Sequence, residues 1–164
     1  MREENLRHHA DRRSVPRGGR RAGDEPGRYP RILVADPHPG VRERESRYLA
    51  MHHFDVAQAQ TDAQLRHSVE TARPQLILIE WNLASTPTPP PLAWLSDSRH
   101  TRHIPLIVMV DEYDGSTTIP PVAGILVKRF SMSWMLDEIR RILRAQSWPL
   151  GDVRPFIKFE QRQR

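Results

Sequence analysis

The chain predicts an α/β fold, a three-layer sandwich around a doubly wound parallel sheet, and three observations carry that expectation. Short, almost uninterrupted apolar runs occur at residues 32–35, 76–79, 106–110 and 122–127. Such runs are too short for comfortable helices and too uniform for strands with one wet face, so they read as strands covered on both sides. Segments with helical periodicity alternate with them, which is the pattern of strand, crossover and parallel strand. The runs at 32–35 and 76–79 lead into a carboxylate each, Asp36 and Glu80. Sites in open parallel sheets gather at the carboxyl ends of the strands, so both acids are functional candidates from the outset.

A length of 164 residues accommodates one domain of ordinary size. Leu, Ile and Val are concentrated between residues 32 and 145, which sets the expected boundaries: an Arg-rich, disordered leader at 1–30, a folded body at 31–145 and a tail at 146–164. Cysteine is absent, which excludes disulfides, thiol chemistry and a four-cysteine metal site. No apolar leader and no run near the roughly 18 residues of a membrane span is present, so a cytoplasmic protein is the default expectation. The net charge of +5 divides as +4 over residues 1–31, −1 over 32–145 and +2 over 146–164. The basic excess therefore belongs to the tails, and the body does not read as a nucleic-acid-binding surface.

Taken in order, residues 1–30 contain a cluster of Arg12, Arg13, Arg17, Arg20 and Arg21 among glycines and prolines. This composition cannot offset the entropy of ordering the chain, and the arginines are candidates for a transient electrostatic contact. Residues 31–36 give the first buried strand, and Pro37-His38-Pro39-Gly40 turns the chain. The next helix, at about 41–51, places Val41, Arg44/Glu45 and Tyr48/Leu49 on its inner stripe and exposes Arg42, Glu43 and Arg47. Residues 54–59 alternate as a peripheral strand. Thr61 and Gln64 form a capping box for a helix that buries Leu65, Val69 and Ala72 and stops before Pro74. The central strand follows at 76–80. Prolines 87, 89, 90 and 91 bar helix through residues 84–91, and only a short helix fits at about 92–98. After the strand at 104–110, residues 111–121 carry no helical stripe and should be irregular. The last strand ends at Lys128. Ser131 or Ser133 caps a final helix whose Met135, Leu136, Ile139, Ile142 and Leu143 face the sheet. Trp148, Phe156 and Phe159 in the tail are candidates for docking on a partner.

Four of these stretches together, Ile32-Leu33-Val34-Ala35-Asp36 with Val41-Arg42-Glu43, Leu76-Ile77-Leu78-Ile79-Glu80-Trp81, Ile104-Pro105-Leu106-Ile107-Val108-Met109, and Leu126-Val127-Lys128-Arg129-Phe130-Ser131, resemble the receiver domain of bacterial two-component response regulators. The resemblance spans residues 31–145. It implies a flavodoxin-like (CheY-like) sheet of five parallel strands in the order 2-1-3-4-5, here with the fourth helix reduced or missing. Typical members accept phosphate from a histidine kinase onto an aspartate after the third strand, with Mg²⁺.

Carried over position by position, the resemblance puts the first of the family's acidic pair on Asp36 and the second on Pro37. The phosphoacceptor falls on Glu80, the hydroxyl residue after the fourth strand on Val110, the aromatic switch position on Ile125, and the invariant lysine on Lys128, which Arg129 follows in place of proline. A hard cation needs several oxygens, and Pro37 supplies none from its side chain. Phosphoryl transfer needs an aligned nucleophile and groups that stabilise the equatorial oxygens. Glu80 displaces its carboxylate by one methylene, and Val110 has no hydroxyl. The expectation is an atypical, degenerate receiver, or pseudo-receiver, that is not an enzyme, binds no metal or cofactor, and acts as a phosphorylation-independent protein-interaction module in phosphorelay signal transduction. Its partner would be a histidine kinase or another regulator, or a second copy of itself. The alternatives are a weakly phosphorylatable response regulator and a basic-tailed nucleic-acid-associated scaffold. Glu80 is expected either to be neutralised by Lys128 or to hold that lysine as a phosphorylated aspartate would. No Gly-rich phosphate loop, hydrolase elbow or histidine ligand set is present.

Overall fold

The structure is a computed structural model that describes residues 29–86, 90–113, 119–146 and 156–157. Its elements are β1 (Arg31–Ala35), α1 (Pro39–Met51), β2 (Asp55–Ala59), α2 (Asp62–Ala72), β3 (Leu76–Glu80), α3 (Trp81–Ser85), α4 (Pro91–Asp97), β4 (Leu106–Val110), β5 (Gly124–Val127), α5 (Met132–Gln146) and β6 (Phe156–Ile157). All strand pairs are parallel, in the order β2-β1-β3-β4-β5-β6. The expected order of the first five strands is therefore present. The two-residue β6 extends the sheet beyond it, with Phe156 opposite Gly124 and Ile157 opposite Ile125.

Strand alternation divides the interior into two layers. Ile32, Val34, Leu76, Leu78, Ile107 and Met109 face one core, closed by Leu49 of α1 and by Met135, Leu136, Ile139 and Ile142 of α5. Leu33, Ile77, Ile79, Val108 and Val110 face the other, closed by Leu65 and Val69 of α2, Leu83 of α3, and Leu92 and Leu95 of α4. Every residue of β3 and β4 is buried, as the uniform runs require. Thr61 caps α2, accepting from the Gln64 amide at 3.3 Å, while the Gln64 side chain reaches back to the amide of Gln60 rather than to Thr61 itself. At the far end of α2, Arg73 adopts a left-handed conformation, φ 49°, and Pro74 prevents continuation. Ser131 caps α5 through the amide of Trp134.

Two local expectations are corrected. Helix was barred from 84–91, yet α3 runs through Ser85 and α4 begins at Pro91. Glu80 supplies the side-chain cap that makes so short a helix as α3 possible, and proline is compatible with a first helical position because no partner is needed there for its missing N–H. Arg42, expected outside, is buried. Its guanidinium donates to the Asp36 carbonyl at 2.6 Å and to the side chains of Gln58 and Gln60 at 3.2 and 3.4 Å, fastening α1 to the ends of β1 and β2. Between β4 and β5 the described residues carry no helix, in keeping with the fourth helix expected to be reduced or missing. No helix among the described residues is long and apolar enough to cross a membrane.

The burial of Arg42 has a measurable consequence. Arg42→Ala should lower the unfolding free energy by about 1–3 kcal/mol, since the buried Asp36 carbonyl loses its donor, whereas exposed Arg44→Ala should stay within about 0.5 kcal/mol of the parent. Urea denaturation of the two variants checks this, and equal effects would place Arg42 in solvent.

Candidate functional site

The carboxyl ends of β1, β3, β4 and β5 bring together the residues that the sequence singled out. Asp36 follows β1 and is fully buried. Its Oδ1 accepts the His38 amide at 2.7 Å and lies 3.1 Å from His38 Nδ1. The Asp-Pro-His turn thus closes on its own first side chain, a habit of short polar residues in turns. The second oxygen, Oδ2, makes no hydrogen bond among the described residues. Pro37 is exposed.

Glu80 closes β3 and has no solvent exposure. Its Oε2 accepts the amides of Asn82 and Leu83 at 2.8 and 3.2 Å, and its Oε1 accepts from Asn82 Nδ2 at 3.0 Å and from Lys128 Nζ at 3.1 Å. One carboxylate therefore caps α3 and neutralises the lysine. Lys128 bridges onward to Asp111 Oδ1 at 3.0 Å, and its amide donates to the Val110 carbonyl at 2.6 Å. The loop after β5 is thereby tied to the end of β4. Burial pulls the Lys128 ammonium down, but Asp111 and Glu80 outweigh it and the net displacement is upward. Val110 and Ile125 lie together in the apolar core on the α2–α4 face, where Tyr113 and Ile119 pack on the same cluster.

A receiver-type Mg²⁺ does not fit this donor set. Pro37 offers no side-chain oxygen, both Glu80 oxygens already accept two hydrogen bonds each, and no group of three or more potential ligands occurs among the described residues. Octahedral coordination by hard oxygens needs more than two unpartnered carboxylate oxygens, Asp36 Oδ2 and Glu45 Oε2.

Sequence reasoning did not single out Asp111, Asn82 or Glu45. Asp111 carries the signal that exposed Glu80, an acid directly after a buried strand. Glu45 was placed on the inner stripe of α1, but its chemistry depends on what lies opposite. The residue is 1% exposed, and its Oε2 has no hydrogen-bond partner among the described residues. Desolvation, then the charge of Asp36, pushes it up from 4.5 to about 7, against opposing contributions from Arg44 and Lys128. Neighbouring Ser46 Oγ is likewise buried without a partner. Of the candidate interaction residues, Arg12, Arg13, Arg17, Arg20, Arg21, Trp148 and Phe159 lie outside the described residues, and Phe156 is described only as backbone in β6.

No protein-family model and no curated protein matches the chain. Solved structures do. The receiver domain of an HD domain-containing protein from Pseudomonas fluorescens Pf-5 is 18% identical, with a TM-score of 0.63 over 73% of this chain and 98% of that one. The chemotaxis response regulator CheY4 of Vibrio cholerae is 17% identical, with a TM-score of 0.61 over 70% and 98% of the two chains. A response regulator from Desulfuromonas acetoxidans is 20% identical, with a TM-score of 0.58 over 71% and 98%. These likenesses establish a CheY-like receiver fold for the chain.

Two predictions follow from the buried acids. The unfolded chain ionises Glu45 near 4.5, whereas the folded chain keeps its proton to about 7. The folded state therefore binds more protons across that window, and its contribution to stability is lost as pH rises through it, by roughly 3 kcal/mol in total. Relative to Glu45→Gln, the parent should lose about that much in urea titrations between pH 4.5 and 8, and parallel curves would disprove a buried, protonated carboxyl. Separately, Glu80→Ala uncaps α3 and leaves Lys128 with Asp111 as its remaining ion-pair partner, and should cost about 2 kcal/mol in the same assay at pH 7.

Proposed function

We propose that the chain is a degenerate receiver: a non-enzymatic, phosphorylation-independent protein-interaction module in bacterial signal transduction, with residues 31–145 as its body and the two tails as appendages. The observation that supports this most directly is the saturation of Glu80. A phosphoacceptor must present a free lone pair in line with the incoming phosphorus. Both oxygens of Glu80 are instead held by two backbone amides, an amide side chain and Lys128. Pro37 in place of the second acid and Val110 in place of a hydroxyl remove the metal ligand and the donor that a phosphoryl group would need.

Lys128, clamped between Glu80 and Asp111, stays in one arrangement without a phosphoryl group to attract it. Glu80 thus does what a phosphorylated aspartate would do to that lysine. The signalling state would be constant, and regulation would pass to the abundance or binding of the partner, a histidine kinase or another regulator in the cytoplasm.

Intact mass after incubation with Mg²⁺ and a small-molecule phosphodonor tests this, with Glu80→Gln alongside. No mass gain in either protein is expected. A gain of about 80 Da, one phosphoryl group, that disappears in Glu80→Gln would replace the proposal with a weakly phosphorylatable regulator.

A further inference from the structure

At the opposite pole of the sheet, where the strands begin, α2, α4 and the loop from Ser98 to Ile104 enclose a cavity of about 720 Å³. That size lies in the range that holds a small ligand or a few side chains. Buried Val69, Pro74 and Ile104 form its apolar floor. One wall is the Trp94 ring, held by the indole N–H donating to Asp62 at 3.1 Å and by the Arg66 guanidinium 4.4 Å above the ring centroid. Arg66 is itself tied to Asp62 at 2.8 Å. The aromatic wall is therefore fixed before anything binds.

The rim and its margin are basic through arginine, Arg73 in the lining and Arg99 and Arg102 in the adjoining loop. Arg73, His100 and His103 are exposed and form no ion pair among the described residues. Arg99 and Arg102 of the same loop are exposed and likewise unpaired. Glu70 is the one acid in the lining. Among the described residues, Asp36, Glu80, Asp111 and Glu112 share one end with Lys128, while Arg73, Arg99 and Arg102 stand at the other without an ion pair.

We propose that this cavity is a docking site for an acidic peptide segment of a partner protein, with one apolar side chain seated on Val69, Pro74 and Ile104 against Trp94 and flanking carboxylates on Arg73, His100 and His103. The proposal rests on the interaction-module reading and names its surface. Charge complementarity selects an anion. The apolar floor selects a peptide over a nucleic-acid backbone, whose phosphates would satisfy the rim and leave the floor empty. The site lies at the end of the sheet away from Glu80 and Lys128, so occupancy requires no change in the phosphorylation pocket.

The test uses the full-length chain and fluorescence polarisation of short labelled peptides with one Leu, Phe or Trp between pairs of Glu, at fixed ionic strength. At least one peptide should bind, with affinity falling about tenfold in Arg73→Glu and in His103→Glu and rising in Glu70→Lys. These exposed positions leave the core intact. Replacing the apolar residue of the peptide by Ser should abolish binding. Absence of binding by every peptide would overturn the proposal, as would binding insensitive to the three substitutions, or a Ser peptide that binds equally well through charge alone. Binding of oligo(dT) that is lost in the same variants, with no peptide bound, would overturn it in favour of a polyanion site. Peptide binding is read without a phosphodonor, so its failure leaves the mass experiment untouched, and a phosphoryl mass gain alongside peptide binding would overturn only the earlier reading.

Discussion

The carboxylate of Glu80 joins three parts of the molecule that would otherwise be independent. It ends the most deeply buried strand, it caps a five-residue helix too short to form alone, and it holds Lys128 and through it the end of β5. A charge with no solvent exposure is tolerable only when hydrogen bonds replace its hydration. Here two backbone amides, one amide side chain and one ammonium do so. The same saturation that makes the charge stable makes it a poor nucleophile. The proposed loss of phosphoacceptor chemistry would follow from that same structural satisfaction.

Asp36 and Glu45 present the contrary case. Each keeps one buried oxygen without a hydrogen bond, and the charge of Asp36 helps to drive the Glu45 carboxyl toward its neutral form. In a pocket that recruited a cation, such acids would be compensated by the metal. With Pro37 between Asp36 and His38, compensation comes instead from the His38 turn and from protonation of Glu45. The carboxyl end of the sheet thereby remains acidic in composition while the Glu80 oxygens are engaged and Glu45 is driven toward its neutral form. At the opposite end Arg73, Arg99 and Arg102 form no ion pair among the described residues. This asymmetry separates the acid-bearing end of the sheet from the surface proposed for docking.

Much of the architecture was legible in the chain. The uniform runs at 76–79 and 106–110 announced strands buried on both faces, because a one-residue wet stripe would have interrupted them. Thr61 and Gln64 announced a helix start. Arg42 and α3 were not legible. An arginine on a short amphipathic helix reads as solvent-facing until a carbonyl and two glutamines from other elements meet it, and proline counting rejects helix unless a cap such as Glu80 stabilises the first turn.

The sequence by itself determined the layer order, the two acids and the lysine at strand ends, and the substitutions of Pro37, Val110 and Ile125, because period, strand length and side-chain chemistry are local properties. Only the tertiary structure decided which oxygen meets which donor, that Asp111 shares Lys128, that burial holds a proton on Glu45, and that Arg73, His100 and His103 surround one cavity. Those outcomes depend on distances between residues far apart in the chain, and on the desolvation that packing imposes on them. Neither is written in any single stretch.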